Sequence, residues 1–484
     1  MSTVYRWSMN LPDKQKQFLQ WYSAVIDYAN IVDNRSPVKG ANVIMPYGYS
    51  IWESIERKLD EELKRTGHKN AYFPLFIPED YLQREAEHFE GFIPEVAWVT
   101  HAGDKPLDRK LALRPTSETI MYEMFHLWIR SHGDLPLKIN QFCNIIRFDT
   151  KETKPLLRDR EFLWSEGHTC HATAEEAVAQ VRESMDIYES VYRLACMSFL
   201  ILRRPKHDTF AGAVYSIAYD CPLPDGRTLQ IGTTHNLGQG FSKAFDITFQ
   251  DKDKQNKNVH QTCYGLSTRL IAAIVGMHGD EKGLIIPPFI APTQIIIIPI
   301  YKKEQKDKVL AEADKIKRAL SKAGLKVDID QREGYTPGWK FNEWEVRGIP
   351  IRLEIGPKDI EKEQVVFVRR DTGEKSFIPV KDAAKQAKGI LKEIHKFLQK
   401  RADKLLKDNI SQPKDYSELL EIQNTKRGFC RANWCGNKVC AEKVKDETGA
   451  DIRGTREDIK EEIFGKCIVC GDEAKEVVYI APAY

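Results

Sequence analysis

Between Tyr49 and Thr66, Ile51, Ile55, Leu59 and Leu63 recur at every fourth position, and Gly67 follows. That spacing lays one apolar stripe along a helix, with the glycine where a C-terminal cap belongs. Ala71 to Ile77 reads as a short strand next. Pro74 within it cannot donate to a ladder, which places the strand at an edge or an interface. Residues 174 to 200 read as a long helix. From about 210 to 249, alternating and β-branched runs predict antiparallel strands around Gln230-Ile-Gly-Thr-Thr-His235. Tyr264 to Val275 reads as a buried helix with Arg269 inside an otherwise apolar pattern. Long helices with hairpin-like strands predict an α+β fold built on an antiparallel sheet.

The pattern changes after Pro287-Pro288. Gln294 to Ile298 is an apolar run of the kind buried on both faces of a parallel sheet. A helix follows with Val309, Ala313, Ile316 and Leu320 on one face, ending at Gly324. Leu325 to Asp330 alternates, a short helix spans Trp339 to Val346, and strands follow near 349–356 and 364–370. This βαβ rhythm predicts a separate α/β domain. A lysine-rich helix from Ala383 to Leu406 leads into the last part. The expected division is a first domain over 1–288, an α/β domain over 289–402 and a small α/β C-terminal domain over 403–484.

The 484 residues are too many for one core, which agrees with that division. With 42% hydrophobic and 30% charged residues the chain reads as soluble globular protein. A net charge of +3 means that any nucleic-acid contact comes from a local patch rather than a global basic field. The first thirty residues carry no apolar run of the secretory kind, and Ile295 to Ile300 is too short to span a bilayer. No membrane association and a cytoplasmic location are expected, where thiols stay reduced.

That matters for the ten cysteines, of which half fall after residue 429. Cys430 and Cys435, then Cys467 and Cys470, form two close pairs that fit a closed tetrahedral structural Zn²⁺ site. Cys440 is a fifth candidate that could replace Cys435; the turn-like Trp434-Cys435-Gly436 favours Cys435. Cys143, Cys170, Cys196, Cys221 and Cys263 are scattered and read as small packed hydrophobes.

The densest chemistry lies in Asn144-Ile-Ile-Arg147-Phe-Asp149 and Arg158-Asp159-Arg160-Glu-Phe162-Leu-Trp164-Ser-Glu166-Gly-His168. Read as strand, loop and strand, it sets cationic forks beside an aromatic ring and carboxylates. Guanidinium is always charged and bidentate, so it suits phosphate. Arg269, in an apolar setting where an unpaired charge is expensive, adds a third fork and points to an anionic ligand.

These tracts resemble a class II aminoacyl-tRNA synthetase, specifically the prolyl branch of archaeal and eukaryotic type. Gly48 to Pro74 resembles motif 1, Arg147 to His168 motif 2, and Gly265 to Arg269 motif 3. Arg114-Pro-Thr116-Ser-Glu118-Thr, Phe210-Ala-Gly-Ala and Gly232-Thr233-Thr-His235 resemble the prolyl branch. The resemblance implies a ligase that activates L-proline with ATP and Mg²⁺ and charges tRNA(Pro). Carried over, Arg147 and Arg269 are catalytic, and ATP meets Arg147, Asp149, Arg158, Asp159, Phe162, Gln230, Thr233, Ser267 and Arg269. Proline meets Thr116, Glu118, Arg147, Trp164, Glu166, His168, Phe210, His235 and Gly265. The class pattern prefers Glu where Asp149 stands. Ile145 occupies the place of the threonyl branch's zinc-binding cysteine, which argues against a catalytic zinc. The α/β domain resembles the subclass's anticodon-binding domain, with Lys340, Glu345, Arg347 and Lys358 as candidate base readers. The resemblance also implies a homodimer through the motif 1 region and a terminal Tyr484 folded back toward the site. The interval from His168 to Gly265 leaves little room for a large editing insertion, so misactivation of alanine or cysteine without cis hydrolysis is expected.

Overall fold

The structure, a computed structural model, describes residues 11–88 and 95–484. Its centre is an eleven-stranded sheet. Tyr215–Pro222, Thr228–Gly238, His260–Ser267, Glu161–His171 and Leu137–Ile146 lie side by side in that order, each antiparallel to the next. The helices Pro46–Arg65, Ala174–Leu194 and Arg269–His278 contribute to the large apolar core packed on this sheet. The first of these buries Ile51, Ile55, Leu59 and Leu63, the stripe read from the sequence. Ala174–Leu194 starts at a capping box, in which Thr173 Oγ1 accepts from Glu176 N at 3.2 Å and Glu176 Oε2 accepts from Thr173 N at 3.3 Å.

Two expectations are corrected by this sheet. The apolar run from Tyr264 is not a helix at its start: His260–Ser267 is a strand, and Arg269 is the first residue of the helix that follows. A short apolar run cannot be assigned to helix or strand by periodicity alone, and the two sheet partners of this one lie far away in sequence. The tract Ala71 to Ile77 is not one strand either. Lys69–Asn70 joins the main sheet beside Leu137–Ile146, while Phe76–Pro78 joins a separate three-stranded sheet. Pro74, lacking a donor, falls between them.

The C-terminal segment is not a detached unit. Asp451–Arg456 pairs with Leu200–Arg203, Thr455 opposite Arg203, and Glu476–Ala481, Phe429–Trp434 and Ile410–Ser411 extend the same sheet outward. The α/β domain has its own five-stranded sheet, in the order Val327–Ile329, Ile295–Pro299, Ile351–Ile355, Gln364–Arg369, Lys375–Pro379. The first three strands are parallel, and Ile295–Pro299 is buried throughout, as an internal parallel strand should be. The helix Ala383–Asp408 runs across the expected boundary at 402 and places Ala402 in the core of the first domain. Among the described residues, no helix is long and apolar enough to cross a membrane.

Candidate active site

A strand shows alternate residues on one face, and antiparallel register lines up such residues across a sheet. Here the register sets Glu166 opposite Gly265 and Gly265 opposite Thr233; the next row is His168, Cys263 and His235. Trp164 stands opposite Ser267. These rows floor a cleft of about 630 Å³, within the range of small-molecule sites. Thr116, Glu118, Arg147, Asp149, Phe210 and Gln230 complete its lining. Twelve of the residues picked from sequence therefore meet around one cavity.

One end of the cleft is built to hold a small cation. Glu118 is the buried first residue of the helix Glu118–Trp128, and the Thr116 hydroxyl donates to its carboxylate. The Glu166 carboxylate accepts from Gln141 Nε2 at 2.6 Å, from the Ser117 hydroxyl, and from His168 Nε2 at 3.2 Å. Burial raises the Glu166 pKa, but the His168 hydrogen bond and charge outweigh it, aided by Ser117 and Gln141, and hold it below the usual carboxylate range. His168 Nδ1 meets Tyr122 Oη at 3.0 Å. His235 is pushed down to about 3 by burial, then by His168 and Arg204, so it is neutral; its nitrogens meet Ser216 Oγ at 2.7 Å and Thr233 Oγ1 at 2.8 Å. Phe210 covers the His235 ring at 4.9 Å. Gly265 lies under Trp164: a β-carbon there would sit 3.1 Å from the indole. Gly167 leaves room for the Tyr264 ring, which any β-carbon at that position would strike.

The other end is cationic. Arg147 Nε donates to the Pro115 carbonyl at 3.0 Å, and its guanidinium lies over Phe162 at 5.6 Å and Trp164 at 5.7 Å. Burial lowers the Arg147 pKa, while Asp149, Glu118 and Glu166 pull it back up. Arg269 is pushed down to about 10 by burial first, then by the charges of Arg147 and Arg158, with Asp159 opposing. Two desolvated guanidinium groups, Arg147 and Arg269, that repel one another beside the exposed Arg158 are poised for a multiply charged anion. Phe162, Ser267 and Arg269 share a smaller adjoining hollow with Leu156, Leu157 and Asp159. Asp159 is committed to the loop rather than presented to a ligand. Its two oxygens accept from Asn42 Nδ2 and Leu156 N, both at 2.7 Å, and burial raises its pKa to about 7.

Several residues of the cleft escaped the sequence reading. Ser117, Gln141 and Tyr122 orient Glu166 and His168 from behind, and Arg204 holds Gln230 Oε1 at 2.7 Å. A charged pair after the apolar Leu200 to Leu202 run was the one available signal for Arg204. Tyr484 does return to this part of the molecule: its hydroxyl donates to Asp225 Oδ2 at 2.5 Å and its backbone N–H to Thr228 O at 3.0 Å, at the start of the strand that carries Gln230 and Thr233.

Away from the cleft, the cysteine set changes by one residue. Cys435, Cys440, Cys467 and Cys470 place their sulfurs within 4.8 Å of one another, with Cys435 3.7 Å from both Cys440 and Cys470. Sulfurs about 3.8 Å apart are what a tetrahedron of ~2.3 Å zinc–sulfur bonds requires. Cys430 is not in the group. It lies within the strand Phe429–Trp434, where its sulfur takes a hydrogen bond from Gln423 Nε2 at 3.1 Å. An extended strand advances ~3.3 Å per residue, which carries Cys430 well away from Cys435 beyond the strand's end. Cys440, in the first turn of the helix Lys438–Thr448, comes back instead.

Three of the four candidate base readers are engaged within the protein. Lys340 is buried and donates to the Asp330 carbonyl at 3.0 Å. Arg347 binds Glu343 at 2.7 Å and stacks on Trp344 at 4.8 Å, while its carbonyl accepts from Tyr47 Oη at 3.0 Å. Glu345 meets Lys282 at 3.2 Å. Lys358 lies in the short helix Pro357–Glu361.

Comparison with known proteins gives three matching family models. Residues 98–278 match one described as tRNA synthetase class II core domain (G, H, P, S and T). Residues 294–390 match an anticodon binding domain, and 416–484 match the C-terminal domain of prolyl-tRNA synthetase. A proline–tRNA ligase of Natranaerobius thermophilus is 48% identical, covering 97% of each chain. One from Pyrococcus abyssi is 43% identical, covering 99% of each. Among solved structures, a Giardia lamblia prolyl-tRNA synthetase in complex with prolyl-adenylate superposes with a TM-score of 0.94 at 38% identity, covering 99% of this chain and all of that one. A Cryptosporidium parvum prolyl-tRNA synthetase complexed with halofuginone and AMPPNP superposes with a TM-score of 0.92 at 39% identity, covering 98% of this chain and 100% of that one.

Proposed function

This chain belongs to the proline–tRNA ligase family, and from that premise we propose how its cleft joins proline to ATP and then to tRNA. The observation that carries the reading is the Arg147 guanidinium lining one cavity with Thr116, Glu118 and Glu166, with Arg269 in a neighbouring hollow beside Phe162. Proline's secondary ammonium has two N–H donors. Glu118 and the Thr116 hydroxyl accept them, and Trp164, Phe210, His168 and His235 enclose the ring. Arg147 lies where it reaches both the amino-acid carboxylate and the α-phosphate, so nucleophile and electrophile are brought together. Phe162 and Arg269 take the adenine between them, and Arg158 with Arg269 takes the β- and γ-phosphates. Mg²⁺ arrives with ATP and neutralises part of the triphosphate charge.

A proline carboxylate oxygen attacks the α-phosphorus, the bond to the bridging oxygen of pyrophosphate breaks, and prolyl-adenylate forms. The terminal ribose hydroxyl of tRNA then attacks the acyl carbon, and AMP leaves. No protein nucleophile is needed; fixed cations facing the developing charge supply the stabilisation. The direct test is aminoacylation of tRNA with labelled proline: charging to a stable prolyl ester is expected, and no proline-dependent charging overturns the reading.

The cysteine group is assigned to a structural Zn²⁺, because four thiolates close the coordination shell and leave no place for a substrate. One equivalent of zinc is expected by metal analysis, lost in Cys440→Ser and kept in Cys430→Ser. Loss in the Cys430 variant with retention in the Cys440 variant would restore the set read from sequence.

A second copy of the chain fits against the motif 1 side. Phe76 and Trp98 lie on the three-stranded sheet, and Tyr72, Leu127 and Trp128 stand exposed nearby, Trp128 lying 5.8 Å from Phe73. Light scattering is expected to give twice the chain mass, reduced to the chain mass by Tyr72→Glu with Trp128→Glu. An unchanged mass in that variant places the interface elsewhere.

A further inference from the structure

The cation cluster at the nucleotide end has a contributor from the far end of the chain. Asp220, fully buried at a bulge in Tyr215–Pro222, accepts from Arg204 Nη1 at 3.0 Å and Nη2 at 2.9 Å. Its Oδ2 also accepts from Arg453 Nε at 2.8 Å. Arg453 belongs to the C-terminal segment, on Asp451–Arg456, and its carbonyl takes a further bond from Arg204 Nη1 at 2.6 Å. Arg204 Nη2 in turn grips Gln230 Oε1 at 2.7 Å. With its oxygen held by Arg204, the Gln230 amide is fixed in orientation and keeps its NH₂ as a free donor. The approach that makes this possible is local: Gly454, at φ +125°, packs so closely on the Arg203 carbonyl that a β-carbon has no room.

We propose that Arg453 is a positioning residue for ATP, acting through Asp220 and Arg204 on the Gln230 amide. This rests on the reading of Gln230 as a nucleotide contact. The charge balance explains why a second arginine is needed. Asp220 lies in a desolvated site, held at about 2 chiefly because Arg204 and then Arg453 outweigh the burial that would raise it. Removing Arg453 leaves one guanidinium to hold a buried carboxylate alone. Arg204 is then drawn fully to Asp220, and its grip on Gln230 loosens. Truncating one partner of a buried, hydrogen-bonded charge network leaves the others uncompensated, so the effect is felt across the network rather than at one bond. The C-terminal segment is therefore part of the nucleotide site and not only a structural appendage.

The test is proline-dependent pyrophosphate exchange by the full-length chain carrying Arg453→Met, Arg453→Lys, Gln230→Ala, and Arg453→Met with Gln230→Ala. KM for ATP is expected to rise about tenfold in Arg453→Met while KM for proline moves less than about twofold, since ATP and proline sit at opposite ends of the cleft. Lys at 453 keeps a charge beside Asp220 and is expected to recover part of the loss. The double variant is expected to be no worse than the poorer single one. Wild-type KM for ATP in Arg453→Met overturns the proposal, as does an equal rise in both KM values or additive losses in the double variant. If Gln230→Ala alone leaves KM for ATP unchanged, the Gln230 reading fails and the relay with it. If Gln230→Ala raises it and Arg453→Met does not, only the relay fails.

Discussion

Replacing Arg147 by alanine is expected to slow adenylate formation by about three to four orders of magnitude, roughly 4 to 5.5 kcal/mol of transition-state stabilisation. The guanidinium is fixed before substrate arrives: Pro115 O takes its Nε–H at 3.0 Å, and the Phe162 and Trp164 rings lie within 5.7 Å of it. A donor already in place where charge develops on the α-phosphoryl oxygens costs no reorganisation during the reaction, which is why its loss is large. Lysine at 147 supplies a point charge without the planar fork and is expected to recover only part of the rate. Single-turnover formation of prolyl-adenylate, measured by rapid quench, reads this directly. A loss under about tenfold in the alanine variant would remove Arg147 from the centre of the mechanism.

Glu118→Ala is expected to lower kcat/KM for proline by about two to three orders of magnitude, with KM for ATP within about threefold of the parent value. The carboxylate is 3% exposed and receives the Thr116 hydroxyl. Its removal takes away the acceptor for the substrate ammonium and leaves a buried donor unpaired, and both effects act in the same direction. Glu166 cannot take over, because Ser117, Gln141 and His168 already occupy it. A proportional loss toward ATP and proline in steady-state exchange would mean that Glu118 supports the cleft as a whole rather than the amine.

The sequence was most legible where period and register act together. The stripe from Ile51 to Leu63 could be placed because a helix repeats its buried face within the segment. Trp164, Glu166 and His168 could be placed on one face because a strand repeats every two residues. What sequence could not supply is which distant strand brings its own rows alongside. The strand state of Tyr264 to Ser267 depends on partners at Glu166 and Thr233. The same limit hid Arg453, whose partner Asp220 precedes it by more than half the length of the first domain, and it misassigned Cys430. Spacing counts residues between thiols but does not say that a strand separates two of them while a helix turn brings in Cys440. The candidate base readers show a related limit: the sequence gives the charges of Lys340 and Arg347 but not that the fold pairs them with Asp330 and Glu343.

The reaction itself is tested most directly by ATP–pyrophosphate exchange with each of the twenty amino acids in turn, without tRNA. Proline should drive the fastest exchange, with alanine and cysteine giving weaker but measurable signals. Packing of Trp164 and Phe210 against the ring rejects a smaller ligand by only ~1–3 kcal/mol per missing methylene, so these two retain measurable activation. Fast exchange with threonine, serine or glycine and none with proline would contradict the assignment of the Thr116, Glu118 and Trp164 slot to proline.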